Sequence, residues 1–235
     1  MNEIIRKRKS VRKYDMTPLD TATLEKVLTK IDSLVPLYPG IRYSIEITNE
    51  TKGLFNVKAP HYLVFGSEEK DGTYENIGFI GQQLDLFFSE LGIGACWLGA
   101  AKPTEKEASA LPFIICMSFG NPAEPVHRAV SDFKRKKLAD ISMGEDSRIE
   151  AARLAPSGLN RQNWYFVAES GVIHCYRKKP NLITGLLFDK MEAIDLGIAI
   201  CHLAVETESF NFVKENDAPV QKGYIYVGTT KYDKK

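Results

Sequence analysis

The protein has 235 residues, of which 44% are hydrophobic and 26% are charged, and its formal net charge is +1. The length allows one large domain or two small intertwined ones. The near-zero charge gives no reason to expect a nucleic-acid or membrane-surface partner, because proteins that bind either usually carry a strong excess of basic residues. The first residues are charged where a signal peptide is apolar, and no apolar run is long enough for a membrane span, so we expect a cytoplasmic protein.

The first part of the chain alternates predicted helices and strands. Its long helix has apolar residues at three-to-four spacing and ends at Gly92 and Gly94, where glycine supplies a left-handed cap. The elements are predicted at residues 2–8, Thr21–Leu34 after an Asp20 N-cap, Ile41–Thr48, His61–Phe65, Gly78–Leu91 and Phe113–Phe119.

The second part, from about Met143, repeats this order. Its elements are predicted at Ser147–Leu154, Asn163–Glu169, Val172–Arg177, Phe188–Phe210 and Gly223–Gly228. In each part a long helix precedes a strand that ends in glycine, which favours a duplicated unit. Helix–strand pairs are also common in α+β proteins without duplication. We predict two halves, 1–142 and 143–235, intertwined as one compact unit.

The cysteines and histidines do not indicate a metal site or a catalytic pair. The four cysteines form no CxxC pair, and no histidine has a partner at a recognisable spacing. Each cysteine is expected to be a small buried hydrophobic residue. Trp97 and Trp164 could stack on a ligand, but their apolar neighbours favour packing in the core.

The first candidate binding segment contains Arg8, Ser10 and Arg12, which share one side of the chain if the segment is extended. Two guanidiniums and a hydroxyl then point together. This set suits a doubly charged phosphate, because arginine donates parallel charge-assisted hydrogen bonds. A basic N-terminal segment is also typical of a solvated face, so the motif alone leaves both interpretations open.

The second candidate segment follows a predicted helix that stops at Pro156. The chain then offers Ser157, Asn160 and Gln162, and Gly158 allows a close backbone approach. Hydroxyl and amide groups can match an edge with donors and acceptors, such as a flavin pyrimidine. The alternative is an ordinary polar loop that leads into a core tryptophan.

The two segments resemble the R-x-S-x-R and A-P-S-x-x-N-x-Q-P-W motifs of the FMN-dependent nitroreductase family, with Asn163 in place of the proline. Residues 92–100 resemble its G-L-G-x-x-W-x-G stretch, 119–122 its G-Y-P turn and 134–138 its R-K-P-L segment. Together these segments span nearly the whole chain. The resemblance implies an α+β fold, a nitroreductase-like α/β/α sandwich with antiparallel-rich sheets and, here, two fused related halves.

The order of the motifs departs from the family. Ordinary members carry the P-S-x-x-N-x-Q segment a few tens of residues after R-x-S-x-R, whereas this chain has Val35–Gly40 there, without the Ser/Asn/Gln set. The family resemblance implies homodimers with flavin at the interface, one motif coming from each subunit. We therefore predict two fused family-like units that mimic a dimer, keep one flavin site and have lost the other.

The resemblance also implies roles for individual residues around FMN. Arg8 and Ser10 would hold the phosphate and ribityl end, assisted by Lys134 and Arg135. Arg12 would lie near N1 and O2 of the ring, where a cation favours reduction. The remaining expected contacts are backbone groups of Leu98 and Gly99 near N5 and O4, and Pro156, Ser157, Gly158, Asn160 and Gln162 along the opposite edge.

The expected function is that of an FMN-dependent NAD(P)H oxidoreductase. The flavin would take hydride at N5 and pass electrons to a nitroaromatic, quinone or similar small acceptor by a ping-pong mechanism, with no catalytic side chain needed. The alternatives are a flavin-binding carrier or sensor without turnover, and a protein that no longer binds flavin. The sequence leaves open NADH against NADPH, and a monomeric pseudo-dimer against a homodimer.

Overall fold

The computed structural model describes residues 2–53, 57–104, 111–180 and 185–231. Six helices lie in these ranges: α1 Glu3–Lys7, α2 Thr21–Asp32, α3 Thr73–Glu90, α4 Leu138–Ile141, α5 Ile149–Arg153 and α6 Gly185–Ala204. The strands are β1 Tyr43–Thr48, β2 Thr51–Gly53, β3 His61–Ser67, β4 Gly94–Leu98, β5 Ala101–Pro103, β6 Phe113–Gly120, β7 Ser142–Met143, β8 Trp164–Glu169, β9 Val172–Lys178, β10 Asn211–Val213 and β11 Tyr224–Lys231.

The strands form two main sheets and one small one. The first sheet has the order β1-β3-β6-β4 and is antiparallel throughout, the second has the order β10-β11-β9-β8-β7, and β2 pairs with β5. In the second sheet only β7 and β8 run parallel. The predicted α+β fold with antiparallel-rich sheets is confirmed.

The two sheets share one topology. In the first sheet the strands lie side by side in the order β1-β3-β6-β4. Along the chain their order is β1, β3, β4, β6, and the long helix α3 lies between β3 and β4. In the second, the order β8-β9-β11-β10 is the same, with α6 after the second strand and β7 added at the edge. This shared connectivity favours the predicted duplication.

The helices α3 and α6 pack against each other in the centre of the core, through two reciprocal glycine contacts. A Cβ atom at Gly78 would lie 2.1 Å from the carbonyl oxygen of Ile194, and one at Gly197 would lie 2.0 Å from that of Glu75. Gly197 and Ile194 each lie 119 positions after Gly78 and Glu75, respectively. Such an exchange of equivalent contacts is the signature of a two-fold interface.

Several boundaries differ from the predicted ones. The second long helix is Gly185–Ala204 rather than Phe188–Phe210, because the chain turns at Thr207 and residues 211–213 pair with β11. Three-residue strands such as β10 are too short to show alternation, so they went unpredicted. The cap at Gly92 is confirmed by its φ of +74°, whereas Gly94 lies in β4.

The core accounts for the remaining predictions about apolar residues. All four cysteines are buried, as predicted, and Trp164 is 1% exposed. Trp97 is partly buried and stacks on Phe65 with ring centroids 5.6 Å apart. Among the helices of the described ranges, none combines the length and apolarity that a membrane crossing needs.

Candidate functional site

The segment Arg8–Arg12 lies along the free edge of β4. Ser10 forms a parallel bridge to Ala95, and the Val11 amide donates to the Ala95 carbonyl at 2.9 Å. Gly94 permits this approach, because a Cβ there would lie 2.7 Å from Cγ1 of Val11. The segment is therefore extended, as the grouping of Arg8, Ser10 and Arg12 on one side requires.

A cleft of about 740 Å³ opens beside this segment. Its volume is within the range of small-molecule and cofactor sites. One wall is the N-terminal segment, and the rest of the lining comes from residues 125–135 and from the loop after α5, residues 156–160. The structure brings eight predicted site residues into the lining: Arg8, Ser10, Arg12, Lys134, Arg135, Pro156, Ser157 and Asn160.

Four predicted site residues are not part of that lining. Gly158 lies under Met191, whose Sδ would be only 2.3 Å from a Cβ atom added at this glycine. Gln162 is buried, and its side chain accepts a hydrogen bond from the Lys136 amide at 2.8 Å. Leu98 and Gly99 lie at the end of β4 and just beyond it. Their contacts with a flavin stay predictions.

The loop between α5 and β8 is held tightly against the basic segment 134–136. Asn160 Nδ2 donates to the Lys134 carbonyl at 2.8 Å and its Oδ1 accepts from Arg135 Nη1 at 2.8 Å. The Gln162 amide donates to Ser157 Oγ at 3.0 Å. Asn160 and Gln162 have φ of +55° and +50°, in the left-handed region where asparagine is tolerated better than most residues. In this structure the Asn160 side chain therefore forms part of the cleft wall, and the buried Gln162 side chain holds the loop against residues 134–136.

Arg8 is almost completely buried, at 1% exposure, and is paired inside the protein. Its Nε lies 2.8 Å from Asp85 Oδ2, and Nη2 donates to Ser10 Oγ at 3.1 Å. Nε and Nη1 are both buried, and neither has a hydrogen-bond partner in the described part of the chain. Nε is ion-paired with Asp85, which balances the charge of Arg8, whereas the Nη1 donor is left over.

Arg128 and Arg135 supply positive charge to the cleft. Arg135 was predicted from the sequence as a site residue, whereas Arg128 was not. Burial, together with repulsion from the guanidiniums of Arg128 and Arg8, lowers the pKa of Arg135 to about 9. Burial, again assisted by Arg8, lowers the pKa of Arg128 to about 10. Both guanidiniums lie over the ring of Phe133, with centroid distances of 3.7 Å for Arg128 and 5.4 Å for Arg135. Mutual repulsion of this kind is relieved when an anion binds between the cations.

Arg128 was not predicted as a site residue because no local sequence motif marks it. Its place in the cleft comes from a tertiary pairing, in which the Arg128 amide donates to the Lys7 carbonyl at 2.9 Å and Nε donates to the Arg8 carbonyl at 3.2 Å. The other lining residues that were not predicted are Lys9, Pro125, His127, Asp132 and Leu159.

The donor set of the cleft fits a ligand that carries a doubly charged phosphate. Within the described ranges, six cations line the cleft, whereas Asp132 is the one acid in the lining. Arg8 is balanced by Asp85, and Lys9 by Glu124 at 3.1 Å. The cations that remain to attract an anion are Arg12, Arg128, Lys134 and Arg135. Guanidiniums bind phosphate through parallel charge-assisted hydrogen bonds, and the buried Nη1 of Arg8 offers another donor.

The model of the family described as "Putative TM nitroreductase" matches residues 1–207. None of the curated proteins matches the chain.

Several solved structures are similar to this chain. A protein of Thermotoga maritima MSB8, described as a "putative nitroreductase", is 21% identical with a TM-score of 0.64 over 97% of this chain and 90% of its own. A nitroreductase family protein of Clostridium difficile 630 is 19% identical with a TM-score of 0.50 over 62% of this chain and 99% of its own. An "FMN-dependent Nitroreductase" of Clostridium difficile R20291 is 20% identical with a TM-score of 0.46, over 58% and 98%.

Proposed function

The chain belongs to this nitroreductase family and is an oxidoreductase of nitroreductase type, and we propose that it works with FMN bound in the cleft between its two halves. The observation that carries the proposal is the meeting of unbalanced guanidiniums in one cleft. Arg12 comes from the N-terminal segment, and Arg128 and Arg135 come from the stretch between β6 and α4. The loop after α5 closes the cleft from the other side.

In this proposal Arg128 and Arg135 would hold the phosphate of FMN, with Lys134 nearby and Ser10 as a hydroxyl donor. Ser157 and Asn160 line the opposite wall and would contact the rest of the cofactor. Bound FMN would supply two-electron chemistry by accepting hydride from NAD(P)H and passing electrons to a nitroaromatic, quinone or similar acceptor. The chain's own contribution is to bind and orient, and the cationic Arg12 favours a negatively charged ring.

We further propose that the chain is a fused pseudo-dimer with one cofactor. The shared topology of the two sheets and the reciprocal contact of α3 with α6 support this. Both walls of the cleft then come from one chain, so a monomer would be sufficient for binding. A stoichiometry of two FMN per chain would contradict the proposal.

The first experiment is a visible spectrum of the purified protein, followed by titration with FMN. We expect flavin absorbance and one equivalent bound per chain. Addition of NAD(P)H under anaerobic conditions should bleach the colour, and a quinone or nitroaromatic should restore it. Binding without bleaching would favour a flavin carrier instead, and failure to bind FMN would overturn the proposed function.

A further inference from the structure

A buried chain of polar groups crosses the interface between α3 and α6 beneath the cleft. It starts at Arg8, whose Nε lies 2.8 Å from Asp85 Oδ2. Gln82 Nε2 donates to the same Asp85 oxygen at 2.9 Å and contacts His202 Nε2 at 3.1 Å. His202 Nδ1 lies 2.8 Å from the carbonyl oxygen of Ala151 in α5. The polar chain therefore joins the N-terminal wall of the cleft to the helix that leads into the opposite wall.

The chemistry of these groups allows one arrangement of protons. A carbonyl can only accept, so His202 Nδ1 carries the hydrogen and Nε2 accepts from Gln82. Burial lowers the pKa of His202 to about 3, which keeps the ring neutral. Gln82 uses both amide hydrogens, and its Oε1 accepts from Trp97 Nε1 at 3.3 Å. All hydrogen-bonding groups of the Gln82 side-chain amide are engaged.

Both ends of the polar chain reach the cleft lining. Arg8 is itself a lining residue, and α5, which contains Ala151, ends one residue before Leu154. The Leu154 carbonyl accepts from Arg135 Nη2 at 3.1 Å, and Pro156 follows in the lining. A shift of α5 relative to α3 would therefore change the separation of the two walls.

The second half lacks counterparts of Gln82 and Asp85. At the spacing of 119 residues that relates the reciprocal glycine contacts, Gln82 corresponds to Cys201 and Asp85 to Ala204. Cys201 is buried and apolar in character, and Ala204 has no polar side-chain atom. Buried polar networks are costly to desolvate and are replaced by apolar packing without loss of stability in many proteins. Of the two described long helices, α3 alone has side-chain oxygen and nitrogen atoms at these two positions, and Gln83, which corresponds to His202, bonds the Val35 carbonyl instead.

We propose that Gln82, together with Asp85 and His202, is a positioning residue that fixes the separation between the Arg8 wall and the Pro156 wall. The inference rests on the proposed function for its consequence, which is tight FMN binding. The Gln82 amide bridges α3 and α6, so its replacement should loosen the cleft while leaving the lining residues unchanged.

The test compares Gln82→Met with Cys201→Ala, the corresponding position of α6, which serves as a matched control. Spin labels report the wall separation when placed through Lys13→Cys, an exposed position beside the N-terminal wall, and Leu159→Cys, an exposed residue of the opposite wall. We expect a broader distance distribution in Gln82→Met and an unchanged one in Cys201→Ala. A distribution as narrow as that of the unsubstituted, labelled chain would overturn the inference.

FMN affinity is measured on the same variants without labels, well below their melting temperatures. Gln82→Met should bind FMN at least about tenfold more weakly, corresponding to about 1.4 kcal/mol, and Cys201→Ala should match the parent. The double variant Gln82→Met/His202→Leu removes the unpaired acceptor; if stability and FMN affinity recovered together, the role would be structural only and the inference would fail. If the parent chain bound no FMN, the proposed function would fail, and the distance measurement would still decide the inference.

Discussion

The loop that leads from α2 into β1 and the loop that leads from α5 into β8 are held in the same way. In the first half the Tyr38 amide donates to Asn76 Oδ1 at 2.9 Å, and in the second the Gly158 amide donates to Asp195 Oδ1 at 2.9 Å. Asn76 and Asp195 lie on the two long helices, separated by the same 119 positions as the reciprocal glycine contacts. One structural device thus serves both halves.

The loops differ in whether the loop or the segment packed against it supplies the large side chain. Tyr38 packs on Gly72, where an added Cβ atom would lie 2.6 Å from Tyr38 Cε2, whereas a Cβ added at Gly158 would lie 2.3 Å from Met191 Sδ. Tyr38 also makes an edge contact with Phe212, with ring centroids 5.8 Å apart. The loop that contains Tyr38, called here the filled loop, supports the core. The loop that contains Gly158, called here the glycine loop, borders the cleft. The large and the small residue lie on opposite sides of the contact in the two loops, and the backbone hydrogen bond is present in both.

The largest expected effect is the loss of stability caused by Gly72→Ala. Gly72 has φ of +89°, which disfavours any other residue, and a Cβ there would lie within 3.0 Å of three Tyr38 ring atoms. We expect a loss of about 2–4 kcal/mol in unfolding free energy, from overpacking and backbone strain together. Denaturant titration measures it.

Tyr38→Ala in the same background separates the two causes. If the contact is steric, the double variant should lose less stability than the sum of the single losses, as a double-mutant cycle reports. Additive losses would mean that only the backbone conformation of Gly72 matters.

The glycine loop could be predicted from the sequence more fully than its environment. The spacing of Arg8, Ser10 and Arg12, and of Pro156, Ser157 and Asn160, is local, and these residues lie in the cleft lining. Partners such as Asp85 and Arg128 could not be predicted, because they meet Arg8 through contacts between residues far apart in the chain. Sequence periodicity indicates which face of an element is buried, but it does not show which distant polar group lies opposite.

Arg135→Met should produce the next largest effect, which is on FMN affinity and is confined to the cleft. The variant removes a cation but keeps an apolar stem, and a charge-assisted hydrogen bond contributes about 1.5–3 kcal/mol. We expect FMN affinity to fall about 10–100-fold while riboflavin, which lacks the phosphate, binds as in the parent. Equal losses for both ligands would place Arg135 away from the phosphate.

Asp195→Asn would give the Gly158 loop the same kind of hydrogen-bond acceptor, a side-chain amide, that Asn76 provides for the Tyr38 loop. Burial raises the pKa of Asp195 to about 8, and Glu192 contributes in the same direction, while the Gly158 amide and Arg161 oppose it. The unfolded carboxyl ionises near its ordinary pKa of about 4, so the native state loses stability as the pH rises from there to about 8. Below pH 4 both states are protonated and no loss occurs.

We therefore expect Asp195→Asn to stabilise the protein by about 1–2 kcal/mol at pH 9 and to leave it nearly unchanged at pH 4, because Asn76 shows that an amide can make the same hydrogen bond. Unfolding free energies measured across this pH range provide the check. A stabilisation independent of pH would assign the effect to packing rather than to the carboxyl proton.

A smaller effect is expected for Arg12→Ala, since this side chain is exposed at the rim of the cleft. Solvent screening limits an exposed charge interaction to about 0.2–1 kcal/mol, so FMN affinity should fall by up to about fivefold and flavin reduction should slow. Lys13→Ala, a neighbouring exposed position outside the lining, is the control. Unchanged flavin content and reduction rate in Arg12→Ala would remove the proposed role.

Gly158→Ala is the counterpart of Gly72→Ala and should have the smallest effect on stability. The added Cβ would meet atoms of Met191, an unbranched side chain that can change rotamer, instead of an aromatic ring. We expect a loss of about 0.5–1 kcal/mol, since the neighbour can move aside. A loss as large as that of Gly72→Ala would show that Met191 is as rigid as Tyr38. In that event the exchange of side chains between the loops would have left both contacts equally tight, and the glycine of the cleft loop would be required for packing rather than for access of a ligand.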